Sequence, residues 1–371
     1  MKNYDYLISF VLGTRPEAIK IAPLILEFKK SKKVKVNIAL SGQHDEMIKS
    51  VFDIFNLKED INLNILKRSI SMDQSIALIL SELSIFFDNS KPDIVFVQGD
   101  TLTAFAGALA AFLKKIPVAH VEAGLRTENI YSPFPEEANR RMISQITNLH
   151  FSPTKIAFEN LKKSGISHNI FISGNTVVDA LNMVSKKIKK SPILDIDIFN
   201  EKYILTTVHR RENWGNPIRN IAKGILNIVN RNKKLKFIIP MHMNPLVRVP
   251  LIDMLGNNKN ILLIDPIPYL DFILVLKHST IVLTDSGGIQ EEAHTLGKPI
   301  LILRDSTERP EVLLGGNALL VGTDSKKIEM ELNKLLKDSN EFELNKKNLN
   351  TFGDGNASKF IVEKTLNFLK L

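Results

Sequence analysis

The chain has 371 residues, 44% of them hydrophobic and 24% charged, with a formal net charge of +9 and no cysteine. That is the make-up of an ordinary globular protein with material for two cores, and the missing thiols exclude disulfides and cysteine-based metal or nucleophile chemistry. The lysines are scattered through stretches such as SKKVK and NRNKK without interleaved aromatics, and no apolar run reaches the ~18 residues of a membrane span, so neither nucleic acid nor membrane is an expected partner.

The amino-terminal apolar run meets charge at Arg15 without a signal-peptide cleavage pattern, which reads as a cytoplasmic protein. Short apolar strands then alternate with amphipathic helices. Strands are expected at 6–12, 34–40, 93–97 and 117–121, with short edge strands at 150–152 and 169–172. Helices are expected at 16–30, 45–55, 71–87, 101–113 and 135–147, two of them opened by proline. The pattern loosens between 174 and 191, and we place a domain boundary there, giving domains at 1–175 and 176–356. Alternation restarts with strands at 203–208, 236–240, 261–265, 281–285 and 299–303, a short strand near 318–321, and helices at 326–337 and 357–371. The fold class is α/β, with two Rossmann-like, doubly wound parallel sheets. Ligands of such sheets bind beyond the carboxyl ends of the strands, so the cleft between two facing sheets is the default site.

The segment IVLTDSGGIQEEAHTL, 281–296, concentrates this expectation. A buried strand ends at Asp285, Ser286–Gly287–Gly288 forms a tight turn, and a helix is expected from Ile289. Backbone N–H groups at such a turn, at the positive end of a helix dipole, form an anion cradle. Glu291 and Glu292 lie one turn further, within reach of sugar hydroxyls. The plain alternative is an ordinary strand-to-helix turn with a Ser cap.

Other strand ends supply Gly13, Thr14 and Arg15, then Gln98, Gly99 and Asp100, then Glu122, then His209, Arg210, Arg211 and Glu212, and finally His242. Asp100 could merely cap the helix after it. Glu136 could merely offset a helix dipole. Glu122, between a buried strand and Ala-Gly, has no obvious capping role. His209 could be a core histidine, although the two arginines beside it favour an anion-facing loop, and His242 between two methionines fits a core rim equally well. There is no GxGxxG after the first strand, no GxxxxGK[ST], no HExxH and no GxSxG, so no nicotinamide, metal or Ser-triad chemistry is indicated.

Ten motifs in order make the pattern specific: GTRPEAIKIAPL from Gly13, SGQHDEM from Ser41, QGDTLTA from Gln98, HVEAGLRT from His120, YSPFPEEANRR from Tyr131, SGNTVVDAL from Ser173, TVHRREN from Thr207, DSGGIQEEA from Asp285, GKPILILRDSTERPE from Gly297 and FGDGNAS from Phe352. Together they resemble the non-hydrolysing UDP-N-acetylglucosamine 2-epimerases over nearly the whole chain. The resemblance implies a GT-B architecture, with a terminal helix at about 357–371 crossing back to the first domain, and a homodimer. It implies C2 epimerisation of UDP-GlcNAc to UDP-ManNAc, without cofactor or metal, through elimination of UDP to a 2-acetamidoglucal and re-addition. Acid/base work falls to Asp100, Glu122, Glu136 and His209. Arg15, Lys20, Ser286, Gly287, Gly288 and Arg309 would hold the diphosphate side, Glu292 the ribose, and the backbone of Phe272 the uracil. Some members bind a second UDP-GlcNAc as an allosteric activator. Gln43 and His242 match that site, but Ser69 and Ile70 stand where those members have an Arg-Gln pair. The alternatives sharing this fold are a GT-B glycosyltransferase using a UDP-sugar, a hydrolysing epimerase releasing UDP and ManNAc, and a non-catalytic nucleotide-sugar sensor.

Overall fold

Runs of β-branched and aromatic residues with no polar face can be satisfied only inside a parallel sheet covered on both sides, and the chain builds two such sheets. The computed structural model describes residues 4–42, 45–65, 71–185, 200–337 and 350–370. Gln43, Ser69 and Ile70, on which an activator site turns, lie outside the described residues. Contacts divide the chain into two units, Met1–Met183 with Phe352–Leu371, and Val184–Thr351.

The first unit alternates β1 (Tyr6–Leu12), α1 (Arg15–Phe28), β2 (Val34–Leu40), α2 (Asp45–Phe55), β3 (Ile61–Asn62), α3 (Met72–Ser90), β4 (Ile94–Gln98), α4 (Leu102–Leu113), β5 (Val118–Val121), α5 (Glu136–Ile146), β6 (Leu149–Ser152), α6 (Lys155–Lys163), β7 (Ile170–Ile172) and α7 (Thr176–Ser185). Among the described residues its sheet runs β3-β2-β1-β4-β5-β6-β7, every pair parallel. Strand order reverses between β1 and β4, so the loops after those two strands lie side by side at the switch point where such sheets hold ligands. Phe10, Phe96 and Phe151 stack through the core beneath, and Phe28 meets Phe10 and Phe96 edge-on.

The second unit contains β8 (Tyr203–Thr207), α8 (Asn216–Arg231), β9 (Lys236–Pro240), α9 (Pro245–Leu255), β10 (Ile261–Ile264), α10 (Tyr269–His278), β11 (Ile281–Thr284), α11 (Gly287–Thr295), β12 (Ile300–Ile302), α12 (Pro310–Leu314), β13 (Ala318–Leu320) and α13 (Ser325–Lys337). Its parallel order is β10-β9-β8-β11-β12-β13 among the described residues, with the reversal between β8 and β11. Thr207 pairs with Thr284 across that switch, and their hydroxyls lie 2.6 Å apart.

The last helix, α14 (Ala357–Leu369), belongs to the first unit and packs on α1. Asp179 Oδ1 accepts the Ser358 N–H at 2.8 Å, and the Phe352 carbonyl accepts the Asn175 N–H at 2.7 Å. Gly174 and Gly353 meet back to back, each at positive φ (80° and 102°), and a Cβ on Gly174 would sit 3.1 Å from the Gly353 backbone.

Two expectations are corrected and one helix is added. β6 is not an edge strand: it is wholly buried and paired on both sides, because β7 adds outside it. The polar stretch KIAFENLKK forms a helix, α6, that the sequence did not announce. α11 begins at Gly287 rather than Ile289, so both glycines lie in its first turn and Glu291 and Glu292 fall beyond it.

Candidate active site

In the first unit the site grows from the β1–α1 loop. Thr14 and Glu17 form a capping box, a Thr-x-x-Glu pattern that ties a helix start to itself. Here it also reaches sideways. The Glu17 carboxylate accepts the Gly13 and Thr14 N–H groups at 3.1 and 2.6 Å, the Thr14 hydroxyl at 2.7 Å and the Thr101 hydroxyl at 2.8 Å. Glu17 is buried, and desolvation pushes its carboxyl up to about 7 against the pull of those donors. Arg15, half-buried, opens α1 beside it.

Thr101 is the N-cap of α4, its oxygen accepting the Ala104 N–H at 3.0 Å. Asp100 is therefore not the cap. Its side chain, 30% exposed, lies 3.4 Å from Nη1 of buried Arg140, and its carbonyl accepts Asn139 Nδ2 at 2.7 Å. Arg140 also meets Glu137 at 3.2 Å, and Glu137 accepts the Thr127 N–H at 3.0 Å, fixing the loop that leads into α5.

Glu122 follows β5 with φ of 65°, a left-handed conformation that costs a non-glycine residue about 1–3 kcal/mol and marks a position held by its surroundings. Those surroundings are Lys20 Nζ at 2.6 Å from Oε1, the Gln98 amide donating to Oε2, and Asn175 Nδ2 at 3.5 Å. Lys20, expected on phosphate, thus gives its buried ammonium to Glu122. Because β4 and β5 pair Gln98 with Val121, Asp100 and Glu122 project from adjacent strand ends. Glu136 is the first residue of α5, and its Oε2 is buried without a hydrogen-bond partner among the described residues.

In the second unit the switch point brings His209 against Asp285. Nδ1 of His209 lies 2.9 Å from Oδ1 of fully buried Asp285. The same carboxylate accepts the His209 and Arg210 N–H groups and Asn213 Nδ2, each at 2.9 Å. Burial opposes ionisation of Asp285, but the His209 charge and these hydrogen bonds outweigh it and hold the carboxyl at about 2. His242, matched above to an activator site, stacks on His209 with ring centres 6.1 Å apart; burial first, then His209, lowers its pKa.

Asp285 leads into the turn. Ser286 is the N-cap of α11 without a side-chain cap bond, which leaves the first-turn amides of Gly287 and Gly288 to other partners. Arg309 lies on Gly287 so closely that a Cβ there would collide with its guanidinium, and its Nε donates to Glu291 at 2.5 Å. A Cβ on Gly288 would meet nothing within 4 Å, so the backbone there is open to close approach. Glu292 accepts the Tyr269 hydroxyl at 2.9 Å. Phe272 lies in α10 with its N–H donated to the Pro268 carbonyl at 2.9 Å, so that amide is engaged within the helix. Arg304 and Arg210 converge on Glu308, at 2.5 and 3.7 Å, and with Arg309 they hold its carboxyl below the usual range despite burial.

Sequence reasoning passed over Glu17, Arg140, Asn175 and Tyr269 as site-builders, and placed Asp285 at a strand end without assigning it a partner. Thr14-x-x-Glu17 was readable as a capping box; nothing local marks the others, because their partners are distant in the chain.

Two doubly wound parallel units, one with carboxylates at its strand ends and one with a glycine turn at its switch point, define an enzyme of the GT-B-like α/β class. Residues 26–366 match the UDP-N-acetylglucosamine 2-epimerase family. The chain is 46% identical over 357 residues to a UDP-N-acetylglucosamine 2-epimerase of Bacillus subtilis, covering 96% of this chain and 94% of that one. It is 42% identical over 369 residues to that of Escherichia coli K12, covering 96% and 97%. The crystal structure of the Neisseria meningitidis UDP-GlcNAc 2-epimerase bound to UDP-GlcNAc superposes with a TM-score of 0.92 at 43% identity, covering 97% of this chain and all of that one. The chain belongs to the UDP-N-acetylglucosamine 2-epimerase family, a family of isomerases.

Proposed function

We propose that the protein interconverts UDP-GlcNAc and UDP-ManNAc by eliminating and re-adding UDP. The observation that carries this reading is the pair Asp100 and Glu122, carboxylates on adjacent strand ends, each backed by a buried cation, Arg140 and Lys20. A C2 hydrogen is barely acidic until the C1–O bond to UDP stretches and charge develops at C1. The chemistry then needs a placed base, carboxylates near an electron-poor carbon, and stabilisation of the departing diphosphate. In the forward step a carboxylate takes the C2 proton, the C–H electron pair becomes the C1=C2 double bond, and UDP leaves with the C1–O pair. In the return, a UDP oxygen attacks C1 while an acid delivers a proton to the opposite face of C2. Inversion needs proton donors on both faces, which suits several groups: Asp100, Glu122, Glu136 and His209.

The first-turn amides of α11 at Gly287 and Gly288, with Ser286, Arg309 and Arg15, are the proposed diphosphate contacts. Glu292, oriented by Tyr269, is the proposed ribose contact. Domains 1–175 and 176–356, with the terminal helix serving the first, would carry most of the acid/base groups and most of the nucleotide contacts respectively. Among the described residues no helix is long and apolar enough to cross a membrane, and a cytoplasmic homodimer supplying ManNAc-type sugars for surface polysaccharide completes the reading. The test is proton NMR of UDP-GlcNAc with the protein alone in D₂O. The manno epimer should form with deuterium at C2 and without an acceptor; a product that keeps its original C2 hydrogen, or release of free ManNAc, rejects the proposal.

A further inference from the structure

We propose that Asp285 is the positioning residue for His209, holding its ring with hydrogen on Nδ1 so that Nε2 is the nitrogen presented for proton transfer. This rests on the reading of His209 as an acid/base group.

A carboxylate can only accept, so a ring nitrogen 2.9 Å from it must carry hydrogen. The alternative tautomer would set the bare Nδ1 lone pair against a buried anion. The carboxylate is itself immobile. Two backbone N–H groups and Asn213 Nδ2 bind Oδ2 at 2.9 Å, and the Asn213 amide also donates to the Leu303 carbonyl at 3.2 Å. Asp285 has no solvent exposure, whereas the His209 side chain is 37% exposed, so the ring is gripped from behind and reachable from in front. Asp285 is also the residue immediately before Ser286 and Gly287. One carboxylate thus links the β8 loop carrying His209 to the anion-binding turn across the β8–β11 switch.

The test is two-bond ¹H–¹⁵N NMR of the full chain labelled at histidine, combined with steady-state kinetics and UDP titration. His209 should carry its hydrogen on Nδ1. In Asp285→Asn, keeping the backbone N–H groups bonded to the amide oxygen turns the NH₂ toward Nδ1, which must then accept, so the hydrogen should move to Nε2. We expect kcat to fall about 10²–10⁴-fold, the scale of tautomer loss in another enzyme's Asp-His pair, with UDP affinity within about threefold of the parent. A bare Nδ1 in the parent protein overturns the proposal. So does a folded Asp285→Asn with a reversed tautomer and kcat within about threefold. If Asp285→Asn does not fold, Asn213→Ala decides: kcat lowered about 3–10-fold with UDP affinity kept supports the role, and unchanged kcat refutes it. Absence of C2 exchange in the parent protein would reject the epimerase reading, whereas the tautomer is measured independently of it.

Discussion

Lys20 Nζ lies 2.6 Å from Glu122 Oε1, with both side chains shielded from water, and the two residues are 102 positions apart in the chain. One is on the first helix and the other on the loop after β5, so the pair joins the two flanks of β4. The ammonium meets Oε1, while the Gln98 amide donates to Oε2.

Removing that cation should therefore harm the fold as well as the chemistry. Lys20→Met takes the ammonium away from a buried carboxylate, and breaking such a pair costs about 3–5 kcal/mol. Glu122→Gln should abolish turnover and, by stranding the buried Lys20 ammonium, lower the melting temperature as well, while the folded protein still binds UDP. The double variant should recover part of the stability lost in Lys20→Met. Urea unfolding of the three proteins checks this, and a Lys20→Met as stable as the parent refutes the coupling.

Glu17 makes stability depend on pH in an unusual direction. Its carboxyl sits at about 7 in the folded protein against 4.5 for the free group. The folded state therefore binds a proton that the unfolded chain has released between those values. The contribution is complete below pH 4.5, falls as pH rises, and is gone above about 7. The span corresponds to about 3 kcal/mol. Glu17→Gln cannot ionise, so the difference in unfolding free energy between parent and variant should slope downward through pH 4.5–7 and flatten above it. A flat difference curve refutes this.

The two glycines of the anion turn should separate folding from binding. Gly287→Ala drives a methyl into the Arg309 guanidinium and should lower both the melting temperature and UDP affinity. Gly288→Ala meets open space and should fold like the parent, yet weaken UDP about tenfold or more, a loss of about 1.4 kcal/mol, by keeping phosphate off the backbone. Calorimetric titration with UDP and thermal melts distinguish the two; equal effects on both readouts refute the assignment.

Much of this architecture is visible in the chain itself, because periodicity is local. The apolar runs ending at Leu12, Leu40, Gln98 and Val121 fall within a residue or two of their expected strands. What escaped depends on neighbours. Leu149–Ser152 looks like an edge strand until β7 is seen to cover it. The polar surface of Lys155–Lys163 hides a helix anchored by only Ala157 and Leu161. Strand ends nominated Asp100, Glu122 and His209 as candidates, since loops there are held by the sheet. The cations and carboxylates behind them, Arg140, Lys20 and Asp285, were not assigned these tasks, because their partners are set by pairing across the sheet and not by spacing.

The docking of residues 352–370 against Asp179 and Gly174 makes the second unit an insertion within the first. During synthesis the inserted half can therefore finish folding first, while the half that began earlier waits for residues 352–370. A stop codon near position 350 would cost the protein not a tail but the completion of its opening half.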